Sequence, residues 1–143
     1  MITLDDVQHE WTIDSKIDPE LLDEESIKIP QLHSKYLKYL SDVKLLKIKK
    51  DMEYRVLLRE KFEYYTGKSD PAVYQLKPFN LKILKADVQQ YIESDEEWVK
   101  ANQKVKYLET IVDFLDRTIR QISNRTFTIK NAIDWRKFTS GAI

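Results

Sequence analysis

The chain has 143 residues, 24 of them Lys or Arg and 24 Asp or Glu, with two glycines, four prolines and no cysteine. This length holds one domain with a sizeable core. The missing cysteine excludes disulfides and thiolate sites, the scarce glycine leaves few phosphate-cradling loops, two distant histidines argue against a zinc site or a histidine triad, and no apolar run is long enough to span a bilayer.

The first element is an acidic arm. Residues 1–27 carry nine carboxylates against one lysine. The opening MITLDDVQHEW is acidic where a secretory leader is basic and then apolar, which points to a soluble, cytoplasmic protein. Residues 1–29 read as a polar arm with short helical stretches. Asp18-Pro19-Glu20 has the form of a helix start, an N-cap acid followed by proline at the first helical position. It predicts a short helix over DPELLDEES that is marginal unless it docks.

Pro30 opens the second element. No Gly or Pro interrupts residues 31–65. Leu32, Tyr36, Tyr39, Leu40, Val43 and Leu46, then Met52, Val56, Leu58, Phe62 and Tyr65, recur at helical spacing, and Gly67 stands where a C′ residue stops a helix. Such a helix spans about 50 Å, too long for one small chain to cover throughout. Residues 28–68 hold eleven bases and five acids. Residues 68–80, with two prolines, read as a loop with room for a short extended pairing around Val73 or Ile83. Leu81 to Ile92 reads as helical.

Ser94-Asp95-Glu96-Glu97 is a helix start with acids in the first turn. Behind it Trp98, Ala101, Val105, Leu108, Val112, Leu115, Ile119 and Ile122 follow in steps of three and four, a heptad pattern. Ile111 and Phe114 widen the stripe, so it packs on more than one neighbour. Ser123-Asn124 reads as an interruption. A final amphipathic helix carries Phe127, Ile129, Ile133, Trp135 and Phe138 and ends at Ser140-Gly141. Residues 98–143 are basic again, nine bases to four acids. The predicted fold is all-α: a long helical hairpin with short N-terminal and C-terminal helices, an acidic arm over 1–29 and a helical domain over 30–143. Such helices bury little within one chain. Self-association through Val105, Leu108, Val112, Leu115, Ile119, Ile122, Phe127, Ile133, Trp135 and Phe138 is expected to supply the rest.

Few residues suggest chemistry. Gly67-Lys68-Ser69 ends like a P-loop, but the glycine required five residues earlier is Phe62, and a helix precedes it. Asp95-Glu96-Glu97 reads as a complement to the helix dipole rather than an acid–base pair. Asn124-Arg125-Thr126 matches a glycosylation sequon that means nothing without secretion. No catalytic or metal-binding residue and no cofactor is predicted.

The basic stretch is more informative. Lys44, Lys47, Lys49 and Lys50 lead to Arg55, Arg59, Lys61 and Lys68, beside Tyr54, Phe62, Tyr64 and Tyr65. Arg55 and Arg59, four apart, share a helix face; Lys61 lies about 200° round from Arg59 on a different face. Cations for phosphates and rings for bases are the equipment of single-strand binding. The same pattern also fits a solvated lysine face over an aromatic core.

Two blocks carry a family resemblance. One is Arg59-Glu60-Lys61-Phe62-Glu63-Tyr64-Tyr65-Thr66-Gly67; the other runs from Ile122 to Phe138 and contains Asn124-Arg125-Thr126-Phe127-Thr128-Ile129-Lys130 and Arg136-Lys137-Phe138. With Ser34-Lys35-Tyr36-Leu37, they span most of residues 30–140. The chain resembles the UvsY-type recombination mediators of T-even-like phages. The resemblance implies a non-enzymatic protein that binds single-stranded DNA and helps a phage RecA-like recombinase load onto strands coated by the phage single-strand-binding protein. It implies contacts with both proteins, no membrane, and ring-like homo-oligomers of six or seven chains in the cytoplasm of the infected host cell. The family's DNA-binding basic pair falls on Arg59 and Lys61. Together with the residue pattern this nominates Lys47, Lys50, Arg55, Arg59, Lys61, Tyr64, Tyr65 and Lys68 as the DNA-binding set. The alternative is a helical phage scaffold or adaptor with no nucleic-acid contact.

Overall fold

The structure, a computed structural model, describes residues 1–141. Six α-helices and one 3-10 turn form, and no strand, among the described residues: α1 (Leu4–Asp14), α2 (Leu22–Ile27), α3 (Ile29–Tyr65), α4 (Pro71–Leu76), the turn Lys85–Asp87, α5 (Val88–Glu93) and α6 (Glu96–Thr139). They divide into two compact units, residues 1–44 with 110–141, and residues 45–109.

In the first unit the acidic N-terminal segment is packed rather than free. A reciprocal capping box starts α1, with the Asp6 amide donating to Thr3 Oγ1 at 3.1 Å and the Thr3 amide to Asp6 Oδ2 at 2.9 Å. Val7 and Leu22 then bury in a core with Tyr36, Leu40 and Val43 of α3 and Ile111, Leu115, Ile122 and Ile129 of α6. Polar groups pin the same surface. The Tyr36 hydroxyl donates to Asp14 at 2.8 Å, and Lys35 reaches Asp14 at 2.7 Å and Glu10 at 3.1 Å. Burial disfavours the charged Asp14, but hydrogen bonds from Lys35 and Tyr36 prevail and hold its pKa below the ordinary carboxylate value.

Arg125 of α6 closes the unit. Nη1 donates to the carbonyls of Asp14 and Ser15 at 3.1 and 3.2 Å. Nη2 donates to the Lys16 carbonyl at 3.1 Å and the Glu25 carboxylate at 2.8 Å. One buried guanidinium thus satisfies orphan carbonyls at the C-terminus of α1 and ties α2 to α6. Arg136 of α6 similarly donates to the Pro19 carbonyl.

The expected helix start at Asp18 is a turn instead. Asp18 Oδ1 accepts the Glu20 amide at 2.9 Å, and the Leu21 amide bonds back to the Asp18 carbonyl. The α2 helix starts at Leu22 because burial of Leu22 and Glu25 sets its register. Nor do Ser123 and Asn124 break α6, which runs through them without a gap. Their helix propensities cost only a few tenths of a kcal/mol each, which the buried flanking residues Ile122, Arg125 and Ile129 offset.

In the second unit the later part of α3 and the early part of α6 form an antiparallel hairpin: Lys47 reaches Glu109 at 3.9 Å, the Tyr54 and Trp98 rings lie 5.9 Å apart, and Lys61 meets Asp95 at 3.2 Å. Val88, Ile92, Val105 and Leu108 are buried here. Gly67, at φ 77, stops α3 in a Schellman arrangement, the Lys68 amide bonding to the Glu63 carbonyl and the Gly67 amide to that of Tyr64. The stretch 68–80 is not simply a loop, because Asp70 accepts the Ala72 amide at 3.1 Å and, with Pro71 behind it, nucleates α4. The helix expected over 81–92 begins late; the chain has no regular structure from Pro78 to Leu84, and only then come the 3-10 turn and α5.

The heptad stripe needs correction as an interface between copies. Val105, Leu108, Leu115 and Ile122 are buried within the chain's own units, as is Ile111. They cannot face a second chain without opening the fold. Val112, Ile119 and Ile133 are half-buried, and only Phe127, Trp135 and Phe138 stand well exposed.

Candidate nucleic-acid interface

The proposed DNA-binding residues all lie in the second unit, and the structure sorts them into two groups. Lys61 is 8% exposed. Its ammonium lies 3.2 Å from Asp95 and 3.5 Å from Glu97. Asp95 is shared between two tasks. Oδ1 caps α6 by accepting the amides of Glu97 and Trp98 at 3.0 and 3.2 Å, and Oδ2 accepts the Tyr65 hydroxyl at 2.7 Å. Burial opposes the charged carboxylate. The Tyr65 hydroxyl, the Trp98 amide and the Lys61 ammonium outweigh it and keep the pKa of Asp95 low. The Tyr65 hydroxyl is itself shifted upward, first by burial and then by that hydrogen bond. Lys61 is therefore an internal counter-ion, not a phosphate contact.

Tyr64 and Tyr65 are committed as well. Their rings meet edge to face at 4.9 Å and extend into a cluster with Tyr74, stacked on Tyr64 at 5.5 Å, with Phe79, 5.0 Å from Tyr65, and with Tyr91. The Tyr64 hydroxyl donates to the Lys77 carbonyl at 3.0 Å. Neither ring is free for a base. Lys47 and Lys50 are half-buried and paired, Lys47 with Asp51 and Lys50 with Glu53, both at 3.1 Å.

What remains accessible is a single row. Arg55 is exposed and makes no ion pair or hydrogen bond among the described residues. Arg59 is exposed, its nearest carboxylate Glu63 at 3.8 Å, an interaction worth little in water. Phe62, seven residues on from Arg55, is on the same face and 41% exposed. Lys68 sits over its ring at 5.8 Å, an arrangement that holds a cation beside an available aromatic face.

The other flank of α3 is of opposite sign. A hollow between α3, α4 and the start of α6 is lined by Glu60, Glu63, Asp70 and Glu97, with Lys61 and Lys77 as the only cations. The excess of carboxylates there opposes a polyanion, whereas the Arg55–Arg59 side carries the complementary sign. Among the described residues no cluster of three or more His, Asp or Glu side chains could hold a metal ion. Among the described residues no helix is long and apolar enough to cross a membrane.

Known proteins match the chain along nearly its whole length. The family model described as the recombination, repair and ssDNA binding protein UvsY matches residues 10–142. The recombination protein uvsY of Enterobacteria phage T4 is 26% identical over 138 residues, covering 96% of this chain and 98% of the relative. A crystal structure of the bacteriophage T4 recombination mediator protein UvsY, in lattice type II, is similar with a TM-score of 0.88 at 26% identity, over 98% of this chain and 99% of that one. The lattice type I form gives a TM-score of 0.84 at 26% identity, over 94% and 98%. With the family model covering residues 10–142 and solved structures sharing its helical fold, the chain belongs to the UvsY family of recombination, repair and single-stranded-DNA-binding proteins.

Proposed function

We propose that the protein is a recombination mediator. It binds single-stranded DNA without reading sequence and promotes loading of a phage RecA-like recombinase onto strands coated by single-strand-binding protein, in the cytoplasm of the infected host. The observation that carries this reading is the exposed row Arg55, Arg59 and Lys68 in a member of a single-strand-binding family. Contacts from guanidinium and ammonium groups to phosphates carry no sequence information, which suits a protein that must act anywhere on a strand. The protein works without catalysis or a cofactor, by holding and presenting the strand.

Binding of a fluorescent oligothymidylate should weaken with salt at a log–log slope of about −0.7 per phosphate contacted. Arg55→Ala with Arg59→Ala should flatten that slope by about 1.4 and leave the mass in light scattering unchanged. A salt-independent or absent association would favour the scaffold reading instead.

The same reading includes a ring-like homo-oligomer of six or seven copies, in which weak individual contacts add by avidity. It is supported by the exposed aromatics at the end of α6. Trp135 and Phe138, 5.8 Å apart, and Phe127 are each about two-thirds exposed, a face expensive to leave in water. Because these rings contribute little to the protomer's own core, Trp135→Ser with Phe138→Ser should lower the assembly mass while circular dichroism stays helical. An unchanged mass would remove this face from the assembly.

A further inference from the structure

Beyond Gly67 the chain passes through α4 and returns along residues 78–84 beside the last turn of α3. Between them lies a groove of about 610 Å³. Phe62, Lys68, Phe79, Lys82 and Lys85 line it, and no carboxylate does. Lys82 and Lys85 are exposed and make no ion pair or hydrogen bond among the described residues. The sequence around them is free of acids, none occurring from Pro71 to Ala86. Three lysines therefore line one groove and form no ion pair with any described residue, while the hollow on the other flank holds four carboxylates. Such a concentration of one sign in a concave site focuses the field on an anion.

The shape and the rings narrow the anion to a strand. Arg55, Arg59 and Phe62 follow at i, i+4 and i+7 on one face of α3, and Phe62 forms part of the groove wall. The cationic row thus runs directly into the groove, as an extended polymer of phosphates requires. The exposed Phe62 ring, with Lys68 over it, offers a stacking platform of the kind that single-strand grooves use.

We propose that this groove continues the single-strand path, with Lys68, Lys82 and Lys85 holding phosphates of the strand and Phe62 stacking a base. This rests on the single-strand-binding reading above and adds to it a location outside the Arg59–Lys61 segment.

The test uses the full chain and a labelled oligothymidylate, titrated at several salt concentrations. Lys82→Ala with Lys85→Ala touches two exposed side chains that have no partner among the described residues, so the helical fold is expected to persist by circular dichroism. Affinity at 0.1 M salt should fall about tenfold or more, and the salt slope should flatten by about 1.4. Phe62→Ala should lower affinity and leave the slope unchanged, because it removes stacking and no charge.

If Arg55→Ala with Arg59→Ala weakens binding while the lysine pair binds as wild type with the full slope, the groove assignment falls and the single-strand-binding reading stands. If the wild type itself fails to bind, both fall. If the lysine pair keeps its DNA affinity and instead loses binding of a poly-glutamate peptide, the groove receives an acidic protein segment and the proposal is overturned.

Discussion

Arg125→Met is expected to destabilise the protein by about 3–5 kcal/mol, the usual cost of removing one partner from a buried ion pair. The substitution leaves the buried Glu25 with only the half-exposed Lys28, at 3.4 Å, beside it, and it strips three carbonyls at the end of α1 of their donor. Arg125→Lys should recover only part of the loss, since a single ammonium cannot span four acceptors that a planar guanidinium reaches together. Urea denaturation of the two variants measures this. In the double variant with Glu25→Gln the loss should be smaller than the sum of the single losses, because the two residues share one interaction. A loss below about 1 kcal/mol for Arg125→Met would mean that the N-terminal helices are held by their apolar contacts alone.

Lys61→Met should cost a similar amount, about 3–5 kcal/mol, by leaving the buried Asp95 with its hydrogen bonds but no counter-ion, while Arg59→Ala on the exposed row should stay within about 0.5 kcal/mol of wild type. The two residues are two apart in sequence and separate cleanly: one substitution lowers the denaturation midpoint, and the other lowers affinity for a strand at unchanged midpoint. The Asp95 carboxylate also sets a pH dependence. Its pKa in the folded protein lies below the ordinary 3.8. Its contribution is therefore complete above that ordinary value and disappears as pH falls through the folded one. Asp14 acts with the same sign. The melting temperature should change little from pH 7 to 5 and drop below about pH 4, and Asp95→Asn should show a shallower drop. An acid limb as steep as wild type in that variant would remove Asp95 from the account.

Much of the fold is legible in local signals, and the failures share a cause. The long α3, its stop at Gly67 and the start of α6 at Asp95 follow from apolar spacing and from cap chemistry that involves only neighbouring residues. Asp-Pro occurs twice, at Asp18 and Asp70, and only the second starts a helix. The dipeptide is the same, and tertiary burial of Leu22 and Glu25 decides the first case. Ser123-Asn124 reads as a break because propensity is local, whereas the buried positions around it hold the helix straight through.

The heptad pattern correctly marks an apolar seam and is silent on which surface covers it; here the chain covers most of it itself. At the interface, the 200° offset of Lys61 from Arg59 already placed the lysine away from the exposed arginines, but its partner Asp95 lies 34 positions on and is visible only in the folded chain. Lys82 and Lys85 carried a readable signal, an acid-free run from residue 71 to 86, that helical periodicity alone does not weigh.

The carboxylates of Glu60, Glu63, Asp70 and Glu97 have a consequence for traffic along the protein. They act as a kerb. A thread of phosphates laid on the arginine side would meet an excess of like charge if it strayed over the helix, which disfavours a path looped round the hairpin. On the reading proposed above, each protomer offers the strand one lane.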